Sequence, residues 1–177
     1  MMSLNAFINR AQYLKQGESI YASIPVTICE VDLAVDDEAT YPGCADDTCM
    51  ARMIKEGEGR WRCRRCGCES VKIRYRLKVA LGDCDCFKEQ RFIAFDGVAE
   101  EFLGMTAASL VNRRNRCRIA MTVLDRVMEL GLSVSCRGLY DLSWEIISIV
   151  RAPLPGAPPP VTCHPSLAKD SLYMGEC

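Results

Sequence analysis

"CADDTCMARMIKEGEGRWRCRRC", residues 44–66, sets four cysteines at C-x4-C-x13-C-x2-C and fills the space between them with charge. Two short loops that each offer a pair of thiolates can close on one tetrahedral ion held by bonds of ~2.3 Å. The spacing therefore predicts a zinc ribbon with Cys44, Cys49, Cys63 and Cys66 as ligands. Residues 50–62 are long enough for a small hairpin, with Glu56-Gly57-Glu58-Gly59 as its turn. With every coordination position filled, such an ion is scaffolding and leaves no open position for a substrate. Two other readings stay open: a redox pair on Cys63 and Cys66, whose intervening arginines would lower a thiolate pKa, and a disulfide frame. Cys68 can also replace Cys66 as the fourth ligand.

The cysteines lead into VKIRYRLKVAL, residues 71–81, which alternates strictly. Val71, Ile73, Tyr75, Leu77 and Val79 point one way and Lys72, Arg74, Arg76 and Lys78 the other, so four cations are expected along one side of a strand. Arg60, Arg62, Arg64 and Arg65 extend that charge onto the ribbon. Residues 51–78 carry a net +7, whereas residues 1–50 hold two basic side chains against eight acidic ones, so a net charge of −1 conceals a segregation. Charge runs are ordinarily solvated faces; it is the placement on one strand and one ribbon that points to an anionic partner.

Working outward, IYASIPVTI (20–28) alternates as a half-buried strand in which Pro25 implies an edge or a bulge. The acidic loop VDDEATYPG connects it to the cysteines. GDCDC reads as a hairpin turn and KEQRFIAFD (88–96) as its returning strand. DGVAEEFLGMTAASL then changes to a helical period, with Asp96 as N-cap and Gly104 as its end or bend. A second helical period runs from Ile119 through Met128 and stops at Gly131, and LSVSCRGLY and LSWEIISIV close the series as strands. The expected fold is mainly β with helices: an OB-fold five-stranded Greek-key barrel with an inserted zinc ribbon. A general α+β domain is the alternative. The expected organisation is an OB domain over residues 1–152, with the ribbon at about 41–70, followed by a proline-rich flexible tail at 153–177.

No apolar run approaches the ~20 residues that cross a bilayer and the first residues lack the apolar core of a secretory signal, so an intracellular soluble protein with no membrane partner is expected. The single histidine, His164, falls in the proline-rich tail, and there is no Gly-rich phosphate loop, G-x-S-x-G or H-E-x-x-H. The expectation is therefore not an enzyme. A groove for single-stranded nucleic acid needs cations for phosphates and flat rings for bases. Lys72, Arg74, Arg76, Lys78 and Arg62 supply the first, and Phe92, Phe95, Tyr140 and Trp144 are candidates for the second. Phe92 and Phe95 compete for one role, since sequence does not fix which parity of their strand faces outward.

The cysteine spacing, the strand IRYRLKVAL, and QRFIAFD joined to AEEFLGMTAASL together resemble the C-terminal DNA-binding domain family of the replication protein A large subunit. The likeness is strongest over residues 44–110. It implies an OB-fold with a zinc ribbon after the first strand, zinc on Cys44, Cys49, Cys63 and Cys66, and base stacking by Phe95 and Tyr140. It further implies a nuclear protein that binds single-stranded DNA in replication, repair or recombination, with other OB-fold subunits as partners. Two departures suggest a specialised paralogue. The proline-rich segment stands where the family has the helix used to form its heterotrimer, and Cys68, Cys84 and Cys86 are extra. The alternative function is a zinc-stabilised OB interaction module that assembles a telomere, meiotic or replication complex without strong DNA binding; an RNA-binding relative is a third.

Overall fold

The computed structural model describes residues 2–33, 39–83, 86–113, 116–138 and 141–151. Tyr140, His164 and the proline-rich segment from residue 153 lie outside the described residues. No helix among them is long and apolar enough to cross a membrane.

The chain opens with a helix that the sequence patterning did not reveal, α1 (Leu4–Ala11). Ser3 Oγ accepts the Ala6 amide as its cap, and Leu4, Phe7 and Ala11, spaced by three and four, are buried. There follow β1 (Ser19–Asp32), β2 (Thr40–Cys44), β3 (Ile54–Glu56), β4 (Arg60–Arg62), β5 (Val71–Asp83) and β6 (Cys86–Phe95). Three short helices come next: α2 (Asp96–Leu103), α3 (Ala107–Val111) and α4 (Arg116–Met121). Then β7 (Val127–Gly138) and β8 (Asp141–Arg151) complete the series.

β1, β7, β8, β6 and β5 are successive neighbours and β5 returns to β1, which closes a five-stranded barrel. Its pairs are antiparallel except β6 with β8, where Ile93 and Ala94 run parallel to Glu145 and Ile146. This is the OB-fold expected from the strand order. β1 serves two neighbours in turn, β7 over Ser19–Thr27 and β5 from Thr27 to Asp32, with a bulge between Ile28 and Glu30. Pro25 lies where β1 pairs with β7 alone, so its missing N–H breaks no ladder. The barrel is filled by period-2 apolar positions, among them Ile24, Val26, Ile28, Leu77, Val79, Leu81, Leu130, Leu132 and Val134.

The structure corrects three local expectations. Val127, Met128 and Gly131 belong to β7, not to a second long helix, and α4 ends at Met121. Met128, Leu130, Leu132 and Val134 are buried at period 2, and Gly131 sits in the ladder because a Cβ there would lie 2.2 Å from Ser148 Oγ. Residues 40–44, read as the end of a loop, form β2 along β5, an edge strand that tolerates Pro42. Asp96 is the first residue of α2 rather than its cap, which is Phe95, and its carboxylate is used elsewhere. Gly104 ends α2 as expected, in the left-handed conformation at φ 67.

Candidate metal centre and nucleic-acid cleft

The insertion between β1 and β5 folds back on itself. β3 and β4 form the expected hairpin, with Ile54 opposite Arg62 and Glu56 opposite Arg60, and Gly57 and Gly59 turn it at positive φ. Beyond it, Cys63 to Cys66 make a tight knuckle in which the Gly67 amide donates to the Cys63 carbonyl at 2.8 Å, with Gly67 at φ 77. The knuckle faces the end of β2 and the turn that carries Cys49.

This brings Cys44, Cys49, Cys63 and Cys66 together, their sulfurs all within 4.8 Å of one another. The pairs Cys44–Cys66 and Cys49–Cys63 are each 3.5 Å apart, far beyond a disulfide bond of about 2.05 Å. An ion with four bonds of about 2.3 Å would hold its sulfurs about 3.8 Å apart, so these four thiols fit zinc. Cys68 is outside the group: its thiol points to the Ser70 carbonyl at 3.8 Å, and its own carbonyl accepts the Cys63 amide. No helix follows Cys63-Arg-Arg-Cys66, which removes the setting a thioredoxin-like pair requires. Amide donors from Cys66 and Arg65 pull the Cys63 thiol down to about 7, while burial pushes the Cys44 thiol up.

Arg74 is where the structure departs most from the sequence reading. It was expected in an open row with Lys72, Arg76 and Lys78, and it is instead buried, its side chain 2% exposed. Its parity on β5 is as expected, but the cysteine insertion and the start of α2 close over it. Nε and Nη2 both donate to the Cys44 carbonyl, at 2.9 and 2.7 Å. Nη2 also reaches the Asp46 carbonyl and Asp47 Oδ1, at 3.3 and 3.0 Å. Nη1 donates to Asp96 Oδ2, whose partner oxygen accepts the Tyr75 amide at 2.9 Å. Burial alone would lower the pKa of the guanidinium; the hydrogen bonds it donates to Asp96 and Asp47 more than reverse this and hold it charged. Gly43 makes the arrangement possible, because a Cβ there would lie 2.5 Å from Arg74 Cδ.

Arg76 and Lys78 do line an open cleft of about 470 Å³, with Arg91, Phe95, Arg137 and Trp144 among its other walls. Arg76 lies directly opposite Phe95 and Lys78 opposite Ile93, and cross-strand partners share a face. That register decides which of the two phenylalanines faces outward. Phe95 is outward and 39% exposed, whereas Phe92 is fully buried. Phe92 meets Trp144 edge-on, ring centroids 5.5 Å apart, and so supports a half-buried indole at the cleft wall. Arg76 makes no ion pair among the described residues. Lys72 is half-exposed and pairs with Asp47 at 3.1 Å, which together with Arg74 holds that carboxyl below its usual range. Arg62 is exposed on β4, away from the cleft lining.

Sequence reasoning missed Arg91 and Arg137, isolated cations with no periodic pattern around them. They enter the cleft wall and pair with Glu30 and Glu145, each at 3.1 Å. It also missed Gly43, Asp47 and Asp96 as partners of Arg74. A lone carboxylate immediately after an apolar strand is the only signal that Asp96 gives.

Comparison with known proteins agrees with this geometry. The profile of the family described as "Replication factor-A C terminal domain" matches residues 21–131. Replication factor A protein 1 of Saccharomyces cerevisiae is 24% identical over 105 residues, 59% of this chain and 17% of that protein. The replication protein A 70 kDa DNA-binding subunit of Drosophila melanogaster is 26% identical over 77 residues, 44% of this chain and 13% of that protein. The subunit of the same name from Xenopus laevis is 28% identical over 74 residues, 42% and 12%. The chain thus spans less than a fifth of the length of these curated relatives. Among solved structures, a replication protein A heterotrimer bound to ssDNA aligns with a TM-score of 0.69 at 16% identity, covering 87% of this chain and 36% of that one. Yeast RPA bound to ssDNA aligns at 0.61 with 17% identity, covering 85% and 87%. At such identities the structural likeness shows the fold.

Proposed function

We propose that this chain, which belongs to the replication factor-A C-terminal domain family, binds single-stranded DNA without turnover along the cleft between β5, β6 and β8. The observation that carries this is the placement of an exposed ring, Phe95, opposite an exposed cation, Arg76, with Lys78 and Trp144 beside them. Phosphates would sit on Arg76 and Lys78 while bases stack on Phe95, at about 1–3 kcal/mol per base, and, as the family resemblance implies, on Tyr140. Lys72 and Arg62 would meet a longer strand outside the cleft. Arg74 is withdrawn from the contact set, because its donors are already engaged and it is out of solvent.

Zinc on Cys44, Cys49, Cys63 and Cys66 would make residues 41–70 a structural ribbon within one binding domain. The family points to DNA replication in the nucleus, with roles in repair and recombination and with further OB-fold subunits as partners. A second reading has its own support: Arg91 and Arg137 in the cleft wall are already neutralised by Glu30 and Glu145, as suits an OB module that assembles a complex without strong DNA binding.

Titration of a labelled oligo-dT at several salt concentrations separates the two. The DNA-binding reading expects affinity to fall linearly on a log–log salt plot, and Arg76→Glu with Lys78→Glu to abolish binding while the chain stays folded. Indifference to both charges would favour the interaction module. Competition with oligo-U of equal length decides between DNA and RNA.

A further inference from the structure

We propose that Arg74 and Asp96 are positioning residues that link the cysteine centre to the cleft, so that metal loading at the four thiols sets the orientation of Phe95. The proposal rests on the DNA-binding reading for its consequence, but its structural content stands on contacts already described. One end of the Arg74 guanidinium grips the backbone of a thiol donor, Cys44, through two hydrogen bonds to a single carbonyl. The other end holds Asp96, the residue that follows Phe95. Asp96 is one of three non-glycine residues with positive φ among the described residues, at 23, a conformation that needs external support. That support is visible: its two carboxylate oxygens are taken by Arg74 and by the Tyr75 amide.

The link is built tightly enough to carry a displacement. Arg74 is buried, packed against Gly43 with no room for even a methyl group, and fixed by acceptors on three sides. Without an ion the four thiols are no longer tied to one another, and the Cys44 carbonyl is held less firmly where both guanidinium nitrogens reach it. The guanidinium then loses its anchor, Asp96 loses one of its two partners, and the strand-to-helix corner that aims Phe95 relaxes.

The test uses the full chain with three readouts: zinc content by atomic emission, amide exchange over residues 74–77 and 94–98, and affinity for labelled oligo-dT. In the wild type, chelation should speed exchange in both segments while Leu130–Val134 in β7 stays protected. Arg74→Met with its zinc still bound should show the same faster exchange at 94–98 and lose affinity about fivefold or more, the effect of one lost base stack. Adding Phe95→Ala to Arg74→Met should then cost less than about twofold, whereas Phe95→Ala alone costs the full factor. If Arg74→Met does not fold or hold metal, Asp96→Asn keeps the side-chain outline and carries the same expectations. Unchanged exchange at 94–98 in chelated but folded wild type overturns the link, as does strict additivity with Phe95→Ala. Absence of oligo-dT binding by the zinc-loaded wild type would overturn the functional reading alone, since the exchange measurement still decides the link.

Discussion

The barrel and the cysteine insertion are held together by different physics. The barrel buries apolar side chains from five strands and four helices in one continuous core. The insertion buries Cys44, Cys49, Met53 and Cys63, with Ala51, Trp61 and Cys68 partly covered, and little else. Ordering backbone costs about 1–2 kcal/mol per residue, and one methionine with a half-covered indole does not offset that over the length of the insertion. The barrel can therefore stand on burial alone, whereas the insertion has little apolar burial and four thiols placed where an ion could tie them together. The contrast explains the placement of charge as well: six exposed cations, Arg52, Lys55, Arg60, Arg62, Arg64 and Arg65, crowd a segment whose stability does not depend on apolar surface.

Chelation breaks this comparison most severely. Removing the ion should withdraw on the order of 10 kcal/mol from the insertion, so amides of residues 44–68 lose protection while the barrel still melts cooperatively. Exchange mass spectrometry before and after a strong chelator reads both halves at once. A barrel that unfolds together with the insertion would show that the two regions are one stability unit.

The reverse experiment is smaller. Leu130→Ala removes a fully buried side chain from the centre of β7 and should lower global stability by about 2–5 kcal/mol in urea melts. Zinc content per folded chain should not change, because β7 pairs with β1 and β8 and contributes none of the four thiols. A loss of metal in this variant would mean that the barrel pre-shapes the ligand set.

The same division governs what was legible in the sequence. The convergence of Cys44, Cys49, Cys63 and Cys66 was, because their geometry is local: two short loops and a hairpin turn whose glycines announce it. β5 and β1 were, because alternation between wet and dry faces writes a period of two. β7 was misread where Ile119, Val123, Leu124, Val127 and Met128 satisfy a helical spacing, and only the partner strands decide that Val127 begins a ladder. In β6 the run Phe92-Ile93-Ala94-Phe95 is apolar on both faces, so parity had to come from the register with Arg76. Arg74 shows the limit most clearly: alternation correctly gives the side on which it stands, but not that the insertion folds over that side. A pattern along one strand carries no information about what another segment places on top of it.

Asp47 allows the gentlest form of the comparison, since it touches a cation of each kind. Oδ1 lies 3.1 Å from Lys72 Nζ and 3.0 Å from Arg74 Nη2, yet the lysine side chain is 51% exposed and the arginine 2%. Water already solvates the lysine in both folded and unfolded chains, so its attraction to Asp47 is screened and its loss is cheap. Lys72→Ala should leave the thermal midpoint and the zinc content unchanged within error. If a strand of DNA extends past the cleft onto this part of β5, the variant should still lower the salt slope of oligo-dT binding by about one. Burial, and not the ion pair itself, makes the difference, because a cation beside the same carboxylate but sealed from water cannot fall back on solvation. A Lys72→Ala protein that loses its metal would place this lysine inside the structural bracket rather than on the surface that meets the polyanion.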